Sequence, residues 1–142
     1  MIKGVNWVAV AICVVLLEAL GFLWYGVLLA DVWTSAFTEA MGHPPSASGQ
    51  ALYMALGVVN TLILVVGLAW IFAKLGVNSL AGIGAAVAVW FFFNFTTMSI
   101  DFLYMQMPGR LVIMNMGYQL ISYLIAGAIL GLMPAKGAKA AP

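Results

Sequence analysis

Residues 5–30 read VNWVAVAICVVLLEALGFLWYGVLLA, and the one charge in that run is Glu18. Crossing the hydrocarbon of a bilayer takes about 20 mostly apolar residues in a helix, so this stretch can span a membrane by itself. It also exceeds the apolar core of a secretory leader, roughly 7 to 15 residues. The run therefore predicts a retained membrane helix. It raises a question as well, because a carboxylate halfway along such a helix has no bulk water to solvate it.

The remaining chain agrees with this reading. Of 142 residues, 65% are hydrophobic and 6% charged, and the mean hydropathy is +1.14. Soluble domains carry about a quarter charged residues. Further stretches at about 51–73, 80–103 and 111–133 are long and apolar enough to cross. Backbone groups in lipid must satisfy one another, which makes each span helical. No segment alternates polar and apolar residues as a barrel strand does. The expected fold is an all-α integral membrane protein, a four-transmembrane-helix bundle forming one domain over residues 1–133.

The connections refine that picture. KLGVNS (74–79) and QMPGR (106–110) are tight turns, which makes the second, third and fourth spans consecutive antiparallel neighbours. The first connection is longer. In it Val32, Trp33, Ala36, Phe37, Ala40 and Met41 fall on one helical face, and Asp31, Thr34, Ser35, Thr38 and Glu39 on the other. Gly42 suits a helix stop, and Pro44 and Pro45 forbid continuation. This predicts an amphipathic interfacial helix over 31–41, with a plain loop as the alternative. The tail PAKGAKAAP (134–142) reads as disordered.

Charge placement bears on topology and partners. A net charge of +1 leaves no basic surface for nucleic acid. With the N-terminus inside, Lys3, Lys74, Lys136 and Lys139 share the cytoplasmic side, and Arg110 lies opposite with Asp31, Glu39 and Asp101. The positive-inside rule then places both termini in the cytoplasm and the bundle in the inner (plasma) membrane. Arg110 is expected to contact a carboxylate on its own side, Asp101 foremost, as an ion pair bracing the last turn. Cys13 has no partner for an internal disulfide and reads as a core or lipid-facing residue.

Side chains that carry chemistry are few. There is no nucleophile elbow, phosphate loop or metal-ligand cluster, and His43 in GHPP lacks a second ligand at useful spacing. Neither an enzyme nor a cofactor or metal site is expected. Trp7, Trp33, Tyr53, Trp70 and Tyr104 read as interfacial anchors, and WFFFNF (90–95) as a lipid-facing run. Gly127 and Gly131 have the spacing of close helix contact.

Polar residues at membrane depth are the exception. Beside Glu18 stand Asn60 and Thr61 in the second span, Asn94 in the third, and Asn115, Tyr118, Gln119 and Ser122 in the fourth. An ionisable group there costs roughly 2.5 to 3.5 kcal/mol on insertion scales and usually faces the bundle interior. Positions 115, 119 and 122 share one helical face, with 118 at its edge. Gly57, Asn60, Thr61, Leu64 and Gly67 make a second stripe, and Ala11, Glu18 and Tyr25 a third at intervals of seven. Such stripes can converge on one polar interior. Two readings compete. In the structural one, Glu18 is a neutral acid donating to Asn60 or Gln119, because burial disfavours its charged form. In the functional one, it binds a proton or cation in a lateral cavity.

NWVAV (6–10), ALGFLWYG (19–26) and MNMGYQLISYLIAGAILGLM (114–133) together resemble the uncharacterised bacterial family known as domain of unknown function 1761. The positions carrying the resemblance are Asn6, Trp7, Gly21, Leu23, Trp24, Tyr25, Trp33, Gly117, Tyr118, Gly127 and Gly131. It spans nearly the whole chain and implies a small four-helix membrane protein, without an activity, ligand or catalytic residue. This chain departs from the pattern at Gly26-Val27, where the family has Ser-Pro, and at Glu18, where the pattern is apolar.

The function class these residues favour is a non-enzymatic membrane module. It would bind a lipid, an apolar ligand or a partner membrane protein, as a homo-oligomer or as an accessory to a larger complex. The alternative is a small proton-coupled transporter or ion-binding protein using Glu18. That idea rests on analogy with small multidrug-resistance exporters, whose sequence pattern is absent.

Overall fold

A computed structural model of the protein describes residues 5–135. The chain forms helices α1 (Trp7–Leu28), α2 (Ala30–Met41), α3 (Gln50–Leu75), α4 (Ala81–Leu103) and α5 (Gly109–Leu132). All but α2 are long and apolar enough to cross a membrane, and no strand occurs among the described residues. The tail expected to be disordered lies outside the described residues from position 136 onward, as does Lys3.

Helix ends follow from local chemistry. The Asn6 side-chain oxygen accepts from the Val8 and Ala9 amides at 3.1 and 3.3 Å, which caps α1. Its amide nitrogen donates to the Met133 carbonyl at 3.1 Å, tying the start of the first span to the end of the last. Gly42 and Gly76, at φ 75° and 67°, end α2 and α3 in the left-handed conformation that glycine adopts without strain. The Ser79 hydroxyl accepts from the Ala81 amide at 3.3 Å at the start of α4.

Packing is uneven. The most extensive contact joins α4 and α5, and α1 packs against both α3 and α5. The second and third spans are consecutive in sequence yet touch sparingly. A short turn fixes only the helix ends, and α1 rather than α4 covers the inner face of α3. The α4–α5 seam depends on glycine. A Cβ on Gly127 would lie 2.7 Å from both the Gly82 carbonyl and the Ala86 Cβ, and one on Gly131 would overlap the Ser79 carbonyl. The Gly-x-x-x-Gly spacing read in the sequence is thus a real seam, meeting Gly82 and Ala86 of α4.

The main core lies in the half of the bundle nearest the termini. Ala9, Cys13, Leu17, Val65, Phe72, Ala126 and Leu130 are all buried there. In the opposite half a smaller cluster of Ala36, Leu111 and Met114 seats α2 against α5, with Trp24 and Trp33 packed around it. Residues 50–60 of α3 are all exposed. The first turns of α3 therefore stand off from α1 and α5, leaving a wedge between them.

Two turns of π-helix widen the spans, at Trp24–Leu28 in α1 and Trp90–Phe95 in α4. Near the second, the Thr96, Thr97 and Ser99 hydroxyls donate to the Phe92, Phe93 and Phe95 carbonyls, as side chains in lipid do where the helix ladder is perturbed. Phe91, Phe92 and Phe93 point outward as expected, but Trp90 of the same run is buried. Trp7, Tyr53, Trp70 and Tyr104 are exposed. Trp33 is not a free anchor, since its ring sits edge-on to Tyr25 at 6.4 Å and against Phe37 at 5.5 Å.

Candidate functional site

The three polar stripes, on α1, α3 and α5, face one another across the wedge. Glu18, Asn60, Thr61, Tyr118, Gln119 and Ser122 line a lateral cleft of about 190 Å³ near mid-membrane, with Leu17, Gly57 and Leu64 as its apolar walls. At ~30 Å³ of liquid volume per molecule, that is room for about six waters or a small chemical group.

Glu18 is half-buried there. Among the described residues its carboxylate has no ion-pair partner and no hydrogen bond. It shares the cleft with Asn60 and Gln119 but is bonded to neither. The neighbouring groups are committed elsewhere. The Tyr118 hydroxyl donates to the Leu17 carbonyl at 3.2 Å, and the Ser122 hydroxyl to the Tyr118 carbonyl at 2.8 Å. The Gln119 side-chain oxygen is buried without a donor. The cleft therefore presents a carboxylate without a partner among the described residues, and the Gln119 oxygen is buried away from its open space.

A second cavity, about 1120 Å³, opens on the same three helix faces toward α2. Its walls include Tyr25, Trp33, Phe37, Tyr53 and His43, and its polar groups include Asn115, Gln50 and Ser48. The α3 positions that line the two cavities (Gln50, Tyr53, Met54, then Gly57, Asn60, Thr61, Leu64) form one continuous helical stripe. On α1, Tyr25 and Glu18 are seven residues apart on one face, about 10 Å along the axis. The two cavities share no lining residue and follow one another along this stripe, as two compartments of a groove beside α3. Between them stand Tyr25 and Tyr118, ring centroids 5.2 Å apart, with the Tyr25 hydroxyl donating to the Asn115 side-chain oxygen at 2.8 Å.

The π turn of α1 makes this partition possible. It lets Trp24 and Tyr25 both reach α5, the Trp24 indole nitrogen donating to the Met114 carbonyl at 3.2 Å. Two small residues admit the rings: a Cβ on Gly117 would lie 3.3 Å from Trp24, and one on Gly21 would lie 3.3 Å from the Tyr118 hydroxyl.

Three expectations need correction. Asn94 does not join the polar interior, because α4 packs on the far side of α5 from the groove. Its side-chain oxygen is buried without a partner, as is the Trp90 indole nitrogen. Arg110 pairs with Glu39 rather than Asp101. Docking of α2 on α5 brings Glu39 across to the first turn of α5, while Asp101 stays exposed at the end of α4. Asn115 belongs to the aromatic compartment rather than the Glu18 cleft. Sequence reasoning missed Phe37, Gln50 and Met54 as groove residues. The apolar face of the 31–41 helix was the available signal, since such a face turns either to lipid or to a cavity wall. His43 is exposed, with its Nδ1 2.9 Å from the Pro44 carbonyl oxygen, and no group of metal-binding side chains forms among the described residues.

No curated protein and no solved structure matches the chain. Residues 8–131 match the family described as protein of unknown function (DUF1761). With that match extending over most of a chain that has four helices long and apolar enough to cross a membrane, the protein belongs to this family of unknown function.

Proposed function

We propose that the protein is a non-enzymatic membrane module that holds an amphipathic ligand in the groove between α1, α3 and α5. The observation that carries this reading is the exposure of residues 50–60 of α3, none of which is buried by the rest of the chain, so that the groove stays open sideways. Ligand pockets are concave, mostly apolar and fitted with a few convergent polar groups, and both compartments have that make-up. The polar set is one of binding rather than bond-making. It offers a carboxylate, amides and hydroxyls, and the one serine in the Glu18 cleft is bonded to its own helix.

In this reading α2 lies at the membrane surface. Its polar face carries Asp31, Thr34, Ser35 and Glu39, while Ala36 is fully buried against α5. The termini are cytoplasmic, in the plasma membrane, by the lysine bias. The exposed half of α3 supports assembly as a homo-oligomer or with a partner membrane protein. Extraction in native-membrane discs followed by mass spectrometry tests the proposal. A specific amphiphile should co-purify with the parent protein and be lost from Gly57→Trp. A Cβ on Gly57 meets nothing within 4 Å, so the indole fills the cleft without a backbone clash. Bulk lipid composition in the parent, or an unchanged ligand in Gly57→Trp at unchanged melting temperature, refutes it.

A second reading, proton-coupled transport through Glu18, is favoured by the absence of any partner for that carboxylate. Transport requires another conformation, because the core around Leu17, Val65 and Phe72 closes the groove toward the termini. Glu18→Gln in proteoliposomes would abolish pH-dependent uptake if this reading holds, and unchanged uptake would remove it.

A further inference from the structure

We infer that the occupant of the groove is a lipophilic organic cation, a quaternary or protonated amine or phosphonium carried on an apolar body. This rests on the proposed role of the groove and adds the sign of the ligand's charge. The groove discriminates by what it lacks as much as by what it holds. No lysine or arginine lines either compartment. The described cation nearest the wide mouth, Arg110, is engaged by Glu39. Asp31 and Asp101 lie at the same end of the bundle without an ion-pair partner among the described residues. Among the described residues, an anionic head entering there meets no lysine or arginine, and the one ring nitrogen base on its wall is the exposed His43.

A cation meets two successive stations. Tyr25, Trp33, Phe37 and Tyr53 line the wide compartment, and aromatic faces attract a cation within about 6 Å of the ring centroid. Below the Tyr25–Tyr118 pair the Glu18 carboxylate lines the narrower cleft, without a partner among the described residues. In a site of low dielectric the attraction of a carboxylate for a cation is several times its value in water. The apolar body follows from the opening, which faces the acyl chains along α3.

Tetraphenylphosphonium and tetraphenylborate test the inference, being close in size and shape and opposite in charge. Binding is measured by equilibrium dialysis of the full-length protein in lipid nanodiscs, with empty discs subtracted. Saturable binding of tetraphenylphosphonium and none of tetraphenylborate is the expected result. Glu18→Gln should weaken tetraphenylphosphonium about tenfold or more, which is ~1.4 kcal/mol, and Tyr53→Ala severalfold. Equal binding of both ions, abolished by Gly57→Trp, overturns the charge selectivity and leaves the groove as a ligand site. Saturable binding of neither ion overturns the inference too, while the co-purified amphiphile judges the groove independently. Full tetraphenylphosphonium affinity in folded Glu18→Gln also overturns it. Should that variant not assemble, the two ions on the parent protein decide the matter without it.

Discussion

Gly127→Ala adds one methyl group to α5 and should destabilise the bundle, although alanine is the better helix former. The new Cβ would lie 2.7 Å from the Gly82 carbonyl oxygen and the Ala86 Cβ, and 3.1 Å from the Ile83 Cα. Two of those three neighbours are backbone atoms, which no rotamer change can move. Restoring ordinary contact at about 3.4 Å parts α4 and α5 locally by about 0.7 Å. A gap of that size forfeits a quarter to a half of the dispersion well for each atom pair across the seam. Overpacking of this kind costs about 1–3 kcal/mol. Alanine recovers up to ~1 kcal/mol of helix propensity over glycine, leaving a net loss of up to about 2 kcal/mol when that gain is full. Gly84 supplies the control, because its Cβ would meet nothing within 4 Å, and Gly84→Ala should be neutral or slightly stabilising. The assay is equilibrium unfolding of both variants in mixed micelles of rising dodecyl sulfate fraction, followed by tryptophan fluorescence. Equal stability of Gly127→Ala and Gly84→Ala would refute the glycine seam.

Asn6→Ala removes the α1 cap and the bond to the Met133 carbonyl together, and should cost about 1–2 kcal/mol in the same unfolding assay. A loss below a few tenths would mean that the first and last spans are not tied there. Arg110→Ala and Glu39→Gln, combined in a double-mutant cycle, should show a coupling under about 1 kcal/mol, since their side chains are 49% and 55% exposed. A larger coupling would make this pair the clasp that seats α2. Orientation is read by cysteine labelling in a Cys13→Ala background. An impermeant maleimide should reach Ser48→Cys but not Ala138→Cys in intact cells, and the reverse pattern would invert the topology.

The spans were legible because a membrane asks a simple question of a sequence, and runs of 20 or more apolar residues answer it residue by residue. Caps and stops were legible too: Gly42 and Gly76 sit where only glycine is unstrained. What could not be read was which span stands beside which. Hydrophobic periodicity fails when lipid and core are equally apolar, so nothing in α3 announced that residues 50–60 would all stay exposed. The polar stripes carried more information. Glu18, Asn60, Tyr118, Gln119 and Ser122 were brought together as their depths and faces required, whereas Asn94 matched them in depth alone. The Arg110 partner was misjudged for a related reason. Proximity along the chain favoured Asp101, but docking of α2 is a tertiary event with no local signature.

The positions that carry the family resemblance and the residues that line the groove perform different tasks. Asn6, Gly21, Trp24, Gly117, Gly127 and Gly131 are consumed in holding helices together, through the cap to Met133, the indole bond to Met114 and the glycine-relieved approaches. Tyr25 and Tyr118 belong to both sets, since they brace α1 on α5 and divide the groove. Glu18, Asn60 and Gln119 contribute no hydrogen bond to that scaffold among the described residues. An unsatisfied carboxylate at membrane depth is a cost to folding of roughly 2.5 to 3.5 kcal/mol on insertion scales. A scaffold that gains nothing from it has no structural reason to keep it. The physical implication is a division of labour, in which the α1–α5 lock fixes the architecture and the groove side chains set the ligand. Replacing Glu18 with leucine should therefore leave assembly intact or raise the unfolding midpoint while removing ligand binding. A variant that fails to assemble would show that the carboxylate belongs to the scaffold after all.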